Sequence, residues 1–325
     1  MSITPTKVII ITIALAIIGI AAGFKIQIEL DRSNPRVDHV VLDKPTQAPV
    51  TLESTVPIVE PSVIRVSAIV APVITVPKVT SPAIVEISST TITAKAYIVG
   101  DLVTGQIYKQ LNVKEALPIA SISKLITAIV LTKELASSSV ITISEPNLDQ
   151  PVESSGIYGG EQYSVQDILY PLLLSSSNLA AQSIASSSAM QNFIQLMFGY
   201  AREIGMNSTR FLDSSGLDSG NVASAQDIFT LAKYIYNHRP DLLTITRNRD
   251  ISFATTTEHG SHTFFSTNAY VYNSDFIGGK TGRSNAAGET MLTMLNIHDK
   301  KVAIIVLGSE PGRREQDTRK LIDSL

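Results

Sequence analysis

Three short polar sequences in this chain carry side chains that can act together on a carbonyl group. They are Ser121-Ile122-Ser123-Lys124, Ser176-Ser177-Asn178 and Lys280-Thr281-Gly282. Residues three positions apart on a helix lie on one face, so the amine of Lys124 can reach the hydroxyl of Ser121. A neutral amine beside a serine can remove its proton without a histidine. This spacing predicts a nucleophile, Ser121, with Lys124 as its base.

A lysine that acts as a base must be neutral, which sets conditions on its surroundings. In water the pKa of a lysine is about 10.4, so we expect Lys124 to be buried close to a second positive charge. Lys280 is the expected source of that charge. Its predicted strand also contains Gly278 and Gly279, and glycines let a substrate backbone approach a strand edge closely. We therefore expect a peptide substrate to lie along this strand.

The elements that must position these residues predict an α+β fold. A strand–turn–strand unit at 94–109 precedes a helix from Ser121 to Leu135. Ser164 and Ser224 each stand three residues before an aspartate, which is the spacing of a helix-capping pair. Further helices are predicted at 164–174, 179–187, 190–204, 224–236 and 312–325, and strands at 251–256, 263–266, 277–281, 290–295 and 302–307. A helical block inserted into one antiparallel sheet, with a terminal helix packed back on it, is an α+β arrangement.

The N-terminal segment, residues 1–30, contains an uncharged apolar run from Val8 to Phe24. A run of this length is near the lower limit for a membrane-spanning helix. A cleaved secretory signal has the same outline, but no clear cleavage site precedes a polar start. We therefore expect an uncleaved, single-pass transmembrane anchor.

Residues 31–90 contain eight of the fifteen prolines of the chain. Proline removes a backbone donor and restricts the residue before it, so regular sheet or helix is hard to sustain here. We expect a semi-rigid, extended linker. Because valine and isoleucine are frequent, a small strand-rich module or a partner-binding segment is the alternative. The catalytic domain is then expected at 91–325.

Composition argues against several other functions. The chain has 325 residues, a net charge of −3 and no cysteine. Scattered lysines and arginines do not favour nucleic-acid binding, and the lack of cysteine excludes disulfides, thiolate metal sites and a cysteine nucleophile. His259 and His262 are three residues apart, but no H-E-x-x-H pattern accompanies them, and a polar turn between strands is the better interpretation. No metal ion or other cofactor is expected.

The three polar sequences, in this order, are similar to the Ser-x-x-Lys, Ser-x-Asn and Lys-Thr-Gly boxes of serine enzymes that act on D-alanyl peptides and β-lactams. Residues 91–325 resemble the D-alanyl-D-alanine peptidases of the low-molecular-mass penicillin-binding class, peptidase family S11. The stretches Asp101–Gly105, Gly160–Val165 and Gly216–Asp218 add to this resemblance. The fold it implies is that of the serine β-lactamases and D,D-peptidases, an antiparallel sheet with a helical subdomain.

The resemblance implies a catalytic role for four residues. Ser121 would attack the carbonyl carbon of the penultimate D-alanine and form an acyl-enzyme, with Lys124 as the general base. Ser176 would carry a proton towards the leaving amine, and Asn178 would hold the peptide amide.

The resemblance also implies how a substrate is bound. Lys280 and Thr281, followed by Gly282, would bind the terminal carboxylate. The backbone N–H groups of Ser121 and Arg283 would form the oxyanion hole. In the segment 312–315, Arg314 would be an arginine that also binds this carboxylate. Arg313 directly precedes it, so the sequence leaves the choice between the two open.

Two positions depart from the family pattern. Leu179 stands where members usually carry an aspartate, and Arg283-Ser284 replaces an aromatic residue or histidine followed by threonine. Neither position is a core catalytic group, so these departures bear on substrate preference.

The function implied is that of a serine D,D-peptidase that acts on peptidoglycan stem peptides ending in D-Ala-D-Ala, either as a carboxypeptidase or as an endopeptidase. β-Lactam antibiotics would be its covalent inhibitors, and its catalytic domain would lie outside the cytoplasm, held by the membrane anchor or secreted if that anchor is cleaved. A β-lactamase is one alternative, but it needs a carboxylate that activates water, and no well-placed glutamate motif lies between Asn178 and Lys280. A non-catalytic wall-binding module is the other, and the intact boxes argue against it.

Overall fold

The structure is a computed structural model that describes residues 91–145 and 156–325, together with two short strands nearer the N-terminus. These strands are β1 (Lys25–Ile28) and β2 (Val40–Asp43), which pair with each other in antiparallel fashion. Apart from them, the predicted anchor at 1–30 and linker at 31–90 lie outside the described residues. Within the described part of the chain, no helix is both long and apolar enough to cross a membrane.

The other elements follow in chain order. The strands are β3 (Ala96–Asp101), β4 (Ile107–Leu111), β5 (Ala116–Pro118), β6 (Val140–Thr142), β7 (Gln162–Ser164), β8 (Val222–Ser224), β9 (Asp250–Phe253), β10 (His262–Phe265), β11 (Phe276–Ser284), β12 (Gly288–Ile297) and β13 (Lys300–Ser309). The helices are α1 (Lys124–Glu134), α2 (Val165–Leu173), α3 (Asn178–Ser186), α4 (Phe193–Ile204), α5 (Ala225–His238), α6 (Pro240–Thr246) and α7 (Arg314–Asp323). Two 3-10 helices lie at Ala120–Ser123 and Ala269–Tyr272.

One five-stranded antiparallel sheet organises residues 91–325. Its strand order is β11-β12-β13-β3-β4, so the first strands of the domain pair with the last. Helices α1 to α6 lie between them in sequence, and α7 follows β13. The predicted α+β arrangement, with a helical block inserted into one antiparallel sheet, is confirmed.

Strand β13 shows how the sheet separates two cores. Its side chains alternate between the faces: Ile305 and its like-facing neighbours belong to a large core that includes Ile129 of α1. Val306 and its like-facing neighbours belong to a smaller core that includes Leu321 of α7. Because both faces are covered, β13 is buried along nearly its whole length.

Both predicted capping pairs start helices. Ser164 accepts a hydrogen bond from the backbone N–H of Asp167 at 3.0 Å and starts α2. Ser224 accepts one from the N–H of Asp227 at 3.1 Å and starts α5. The Asp227 carboxylate does not turn back to its own helix; it accepts the hydroxyl of Thr209 at 2.7 Å. The second pair therefore also ties α5 to the preceding loop.

The last helix fastens the beginning of the domain. The carboxylate of Asp317 accepts both the N–H and the hydroxyl of Thr93, at 3.0 and 2.6 Å. Lys320 donates to the carbonyl of Thr91 at 2.8 Å. Helix α7 thus covers one face of the sheet and holds the segment that leads into β3.

One predicted helix starts later than expected, and one helix was not predicted. The helix predicted from Met190 starts at Phe193, after a turn at 188–192. Helix α6, from Pro240 to Thr246, was not predicted, because seven residues are too few to show a helical pattern of apolar side chains.

Candidate active site

Ser121 lies on a tight 3-10 turn and not, as predicted, in the first turn of an α-helix. The α-helix itself begins only at Lys124. Ala120 has a φ of 47°, in the left-handed region that alanine rarely adopts. Thr290 of β12 holds this turn by donating its hydroxyl hydrogen to the carbonyl of Ile119 at 3.1 Å. A strained turn fastened to the sheet therefore places the predicted nucleophile.

Lys124 is completely buried, and its Nζ lies 3.0 Å from Ser121 Oγ. The same Nζ donates to Asn178 Oδ1 and to the carbonyl of Ser215, both at 2.7 Å. The helical spacing explains the first contact, and the second arises because α3 begins at Asn178. The first and second boxes therefore meet at one buried amine.

Ser176 lies between α2 and α3 with a φ of 62°. Lys280 Nζ donates to Ser176 Oγ at 2.8 Å and to the carbonyl of Thr281 at 3.0 Å. The next residue, Ser177, caps α3 by accepting the N–H of Ala180 at 2.9 Å. This short polar break between two helices thus delivers one serine to the third box and uses the other to start a helix.

Lys280 has an environment that disfavours its charge. Its side chain is almost fully buried. Burial lowers the pKa of Lys280 well below its ordinary value, and the positive charges of Lys124 and Arg314 lower it further. Because nearby positive charges repel, the charges of Lys124 and Arg314 favour the neutral amine of Lys280. The sequence analysis expected Lys280 to be the charged group that lowers the pKa of Lys124, and that assignment stays a prediction.

Strand β11 carries the third box at the edge of the sheet. Gly282 packs directly against the nucleophile turn: a Cβ here would lie 2.9 Å from Ser121 N and 2.5 Å from Thr290 Oγ1. Glycine is therefore required for the strand to approach the turn. The two amides predicted as the oxyanion hole, those of Ser121 and Arg283, adjoin this contact.

Two neighbouring arginines at the start of α7 are candidates for contact with the third box. Arg314, the first residue of α7, donates from Nη1 to the carbonyl of Gly282 at 3.3 Å, whereas Arg313 donates to Gln316 at 2.5 Å. Of the two neighbours, Arg314 is therefore the one that reaches the third box. Arg283 is exposed at the end of β11.

The loop that supplies the carbonyl of Ser215 was not recognised as part of the site. Asp213 organises this loop, because its carboxylate accepts the N–H groups of Ser215, Gly216 and Asp218 at 2.7, 2.5 and 2.6 Å. Asn221 donates to the carbonyl of Asp213 at 2.9 Å. Aspartate, asparagine and glycine are typical of such turns, so the sequence indicates a turn here but not what its carbonyl contacts.

Gly216 fixes how this loop lies against the nucleophile. Its φ is 84°, and a Cβ would lie 1.9 Å from the carbonyl O of Ala120. Any other residue would need both a strained backbone and a displaced turn. The stretch beginning at Gly216, noted above only as part of the family resemblance, is thus in direct contact with the strained turn.

His259 and His262 lie on the β9–β10 hairpin, away from this cluster in the chain. His262 Nε2 is 2.7 Å from Glu161 Oε1, and the same oxygen accepts the N–H of Gly260 at 3.0 Å. His259 stacks on Tyr163 at 4.7 Å. These contacts join the hairpin to β7. Among the described residues, no group of three or more acidic or histidine side chains is arranged to hold a metal ion.

Comparisons with known proteins show which family this chain resembles in sequence. The family model for D-alanyl-D-alanine carboxypeptidase, peptidase S11, matches residues 83–311. A D-alanyl-D-alanine endopeptidase of Escherichia coli is 32% identical over 232 residues, which cover 68% of this chain and 73% of that protein. The D-alanyl-D-alanine carboxypeptidase DacC of E. coli is 24% identical over 251 residues. The match covers 73% of this chain but only 62% of the length of DacC.

Solved structures show the same fold. Penicillin-binding protein D2 from Listeria monocytogenes, in its ampicillin-bound form, matches with a TM-score of 0.63 and 27% identity, covering 72% of this chain and 97% of that one. A D-alanyl-D-alanine carboxypeptidase from Mycobacterium tuberculosis matches with a TM-score of 0.65 and 25% identity, covering 72% and 90% of the two chains.

Proposed function

Because this chain belongs to the D-alanyl-D-alanine carboxypeptidase family, peptidase S11, we propose that it is a serine D,D-peptidase that cleaves peptides ending in D-Ala-D-Ala. The observation that supports this most directly is the buried Nζ of Lys124, 3.0 Å from Ser121 Oγ. Carboxypeptidase and endopeptidase activities use the same attacking group and differ in the leaving amine, so the proposal covers both.

The contacts of Lys124 fit the role of a base. A neutral amine has two hydrogens and one lone pair. Asn178 Oδ1 and the carbonyl of Ser215 can only accept, so they take the two hydrogens. Ser121 Oγ lies 3.0 Å from the same Nζ, so the lone pair of the neutral amine can accept the hydroxyl hydrogen of Ser121, which Lys124 removes as Oγ attacks the carbonyl carbon.

The attack forms a tetrahedral intermediate, and the remaining groups of the site stabilise it and help it break down to the acyl-enzyme. The oxyanion is stabilised by the N–H groups of Ser121 and Arg283. When the C–N bond breaks, Ser176 gives its proton to the leaving amine and takes up the proton that Lys124 removed from Ser121, while Lys280, 2.8 Å away, holds Ser176 Oγ by a hydrogen bond. Water then gives a proton to Lys124 and attacks the ester on Ser121; the bond between the acyl carbon and Oγ breaks, Lys124 returns the proton to Oγ, and the shortened peptide leaves.

The substrate in this proposal is a peptidoglycan stem peptide. Its terminal carboxylate lies near Thr281 and Arg314, where Arg314 already reaches the carbonyl of Gly282. The edge position of β11 supports this assignment, because an extended peptide can add to an open strand edge.

We expect benzylpenicillin to acylate the protein at Ser121, and we expect the resulting ester to hydrolyse slowly. A fast β-lactamase needs a carboxylate placed to activate water. The two glutamates between Asn178 and Lys280 are not so placed: Glu203 pairs with Lys133 at 3.5 Å, and Glu258 is exposed on the β9–β10 hairpin. Intact-mass spectrometry over time, with peptide mapping, measures the adduct and its lifetime.

Three outcomes separate the candidate functions. A single adduct that persists for minutes or longer and maps to Ser121 supports the D,D-peptidase. Rapid drug hydrolysis without a lasting adduct makes the protein a β-lactamase. A folded protein that neither reacts with the drug nor cleaves a D-Ala-D-Ala peptide is a non-catalytic module.

In this proposal the catalytic domain works outside the cytoplasm, tethered to the membrane by the apolar run at 8–24. The support is the sequence of that run and the external location of peptidoglycan. We expect the full chain, expressed in a bacterium, to sediment with membranes and to resist alkaline extraction. A variant without residues 1–30 should remain in the cytosol; membrane association of that variant would contradict the assignment.

A further inference from the structure

Thr267 belongs to none of the three boxes, but its side chain contacts the third box. It lies between β10 and the 3-10 helix Ala269–Tyr272, and its Oγ1 is 2.7 Å from Thr281 Oγ1. Its backbone N–H donates to the carbonyl of Leu174, at the end of α2, at 3.2 Å. Thr267 is therefore held between the helix that leads to the second box and the strand that carries the third.

We propose that Thr267 is a positioning residue, which donates its hydroxyl hydrogen to Thr281 and so directs the hydroxyl hydrogen of Thr281 towards the carboxylate of the substrate. This inference rests on the proposed function, in which Thr281 binds that carboxylate. It assigns to Thr267 a part in substrate binding without direct contact with the reacting atoms.

The direction of the hydrogen bond follows from counting hydrogens. Each hydroxyl has one hydrogen and two lone pairs, whereas a carboxylate can only accept. If Thr281 gave its hydrogen to Thr267, a lone pair would face the negative carboxylate. When Thr281 donates to the substrate, the 2.7 Å contact therefore has Thr267 as its donor. Successive hydrogen bonds of this kind polarise and strengthen one another.

The surroundings of the two threonines support this order. Thr281 is 3% exposed, so its hydroxyl relies on protein groups for orientation. Thr267 is exposed, so water can satisfy its remaining lone pairs. On the same strand, the carbonyl of Thr281 accepts from Lys280 at 3.0 Å, which fixes the backbone from which the hydroxyl projects.

Thr267→Val is the test, because valine keeps the shape and removes the hydroxyl. The carboxylate is bound in both the ground state and the transition state, so we expect KM to rise about tenfold with kcat nearly unchanged. A peptide with a C-terminal amide in place of the carboxylate should lose this sensitivity. Thr267→Ser should restore the wild-type KM, and the Tm of all variants should stay within about 2 °C.

Thr263→Val is a matched control. Thr263 is also exposed, lies on the adjoining β10 strand, and has a similar hydroxyl contact, 2.9 Å to Ser252 Oγ. We expect its KM to equal that of the wild type. If Thr267→Val behaves like this control, or affects acid and amide peptides equally, the inference is wrong.

Direct binding separates failure of this inference from failure of the proposed function. In a Ser121→Ala background, titration calorimetry with an N-acetylated peptide ending in D-Ala-D-Ala and with its amide measures the carboxylate contribution. Loss of about tenfold in affinity for the acid alone on adding Thr267→Val supports the inference. Binding that Thr267→Val leaves unchanged overturns it but not the proposed function; no binding of either peptide overturns both.

Discussion

Replacing Ser121 with alanine is expected to abolish covalent labelling by benzylpenicillin and to lower kcat for D-Ala-D-Ala cleavage at least about 10⁴-fold. The Oγ atom forms the ester bond, and alanine has no atom that can replace it. Because this hydroxyl bonds to Lys124 at 3.0 Å, its removal should change the free energy of unfolding by only about 1 kcal/mol. Intact-mass spectrometry and thermal unfolding of the same sample measure both effects.

The matched control is Ser123→Ala, two residues along the same turn. Ser123 is buried, and its Oγ accepts from Asn221 Nδ2 at 3.1 Å, so it serves the loop and not the substrate. We expect this variant to be labelled at Ser121. Labelling that survives in Ser121→Ala and disappears in Ser123→Ala would show that the wrong serine has been identified.

Replacing Lys124 with methionine is expected to slow acylation by about 10³- to 10⁴-fold, the upper part of the range for a general base. Methionine has a similar length and fills the buried space, but it cannot take the proton of Ser121. The carbonyl of Ser215 also loses the donor that bonds it at 2.7 Å, which should cost about 1–3 kcal/mol of stability. Stopped-flow or quenched acylation rates and urea unfolding measure the two terms separately.

Lys133→Met on the same helix controls for the loss of a lysine. Its Nζ lies 3.5 Å from a carboxylate oxygen of Glu203 on the surface, where ion pairs contribute little. We expect wild-type acylation from this variant and a stability change within about 0.5 kcal/mol. If Lys124→Met acylates at the rate of Lys133→Met, Lys124 is not the base.

The sequence predicted those parts of the fold and site that depend on side-chain type at short spacing. Ser164 and Ser224 indicated two helix starts because the capping pair is local. The short apolar run at 302–307 indicated the strand β13 from local composition alone. Ser121 and Lys124 indicated their own contact because one helical turn joins them.

The remaining contacts could not be predicted, because they depend on backbone atoms or on long separations. The carbonyl of Ser215 has no sequence signature, since every residue carries one. Thr267 is an ordinary exposed threonine until the fold brings it to Thr281. The contact of His262 with Glu161 was not predicted, because the two residues are 101 positions apart in the sequence and only the fold brings them together.

The pairing of β3 with β13 has a consequence for how the domain folds. Val302 lies opposite Asp101 in the sheet, so two strands separated by about 200 residues must find each other, and such long-range pairing is slow. During synthesis β3 emerges early and keeps an unpaired edge until almost the whole domain is available. Lys280 and Arg314 also appear late, so a partly synthesised chain contains Ser121 but lacks the residues that complete its site. If Ser121 acts as proposed, the order of synthesis therefore keeps the nascent protein without a working nucleophile until the sheet closes.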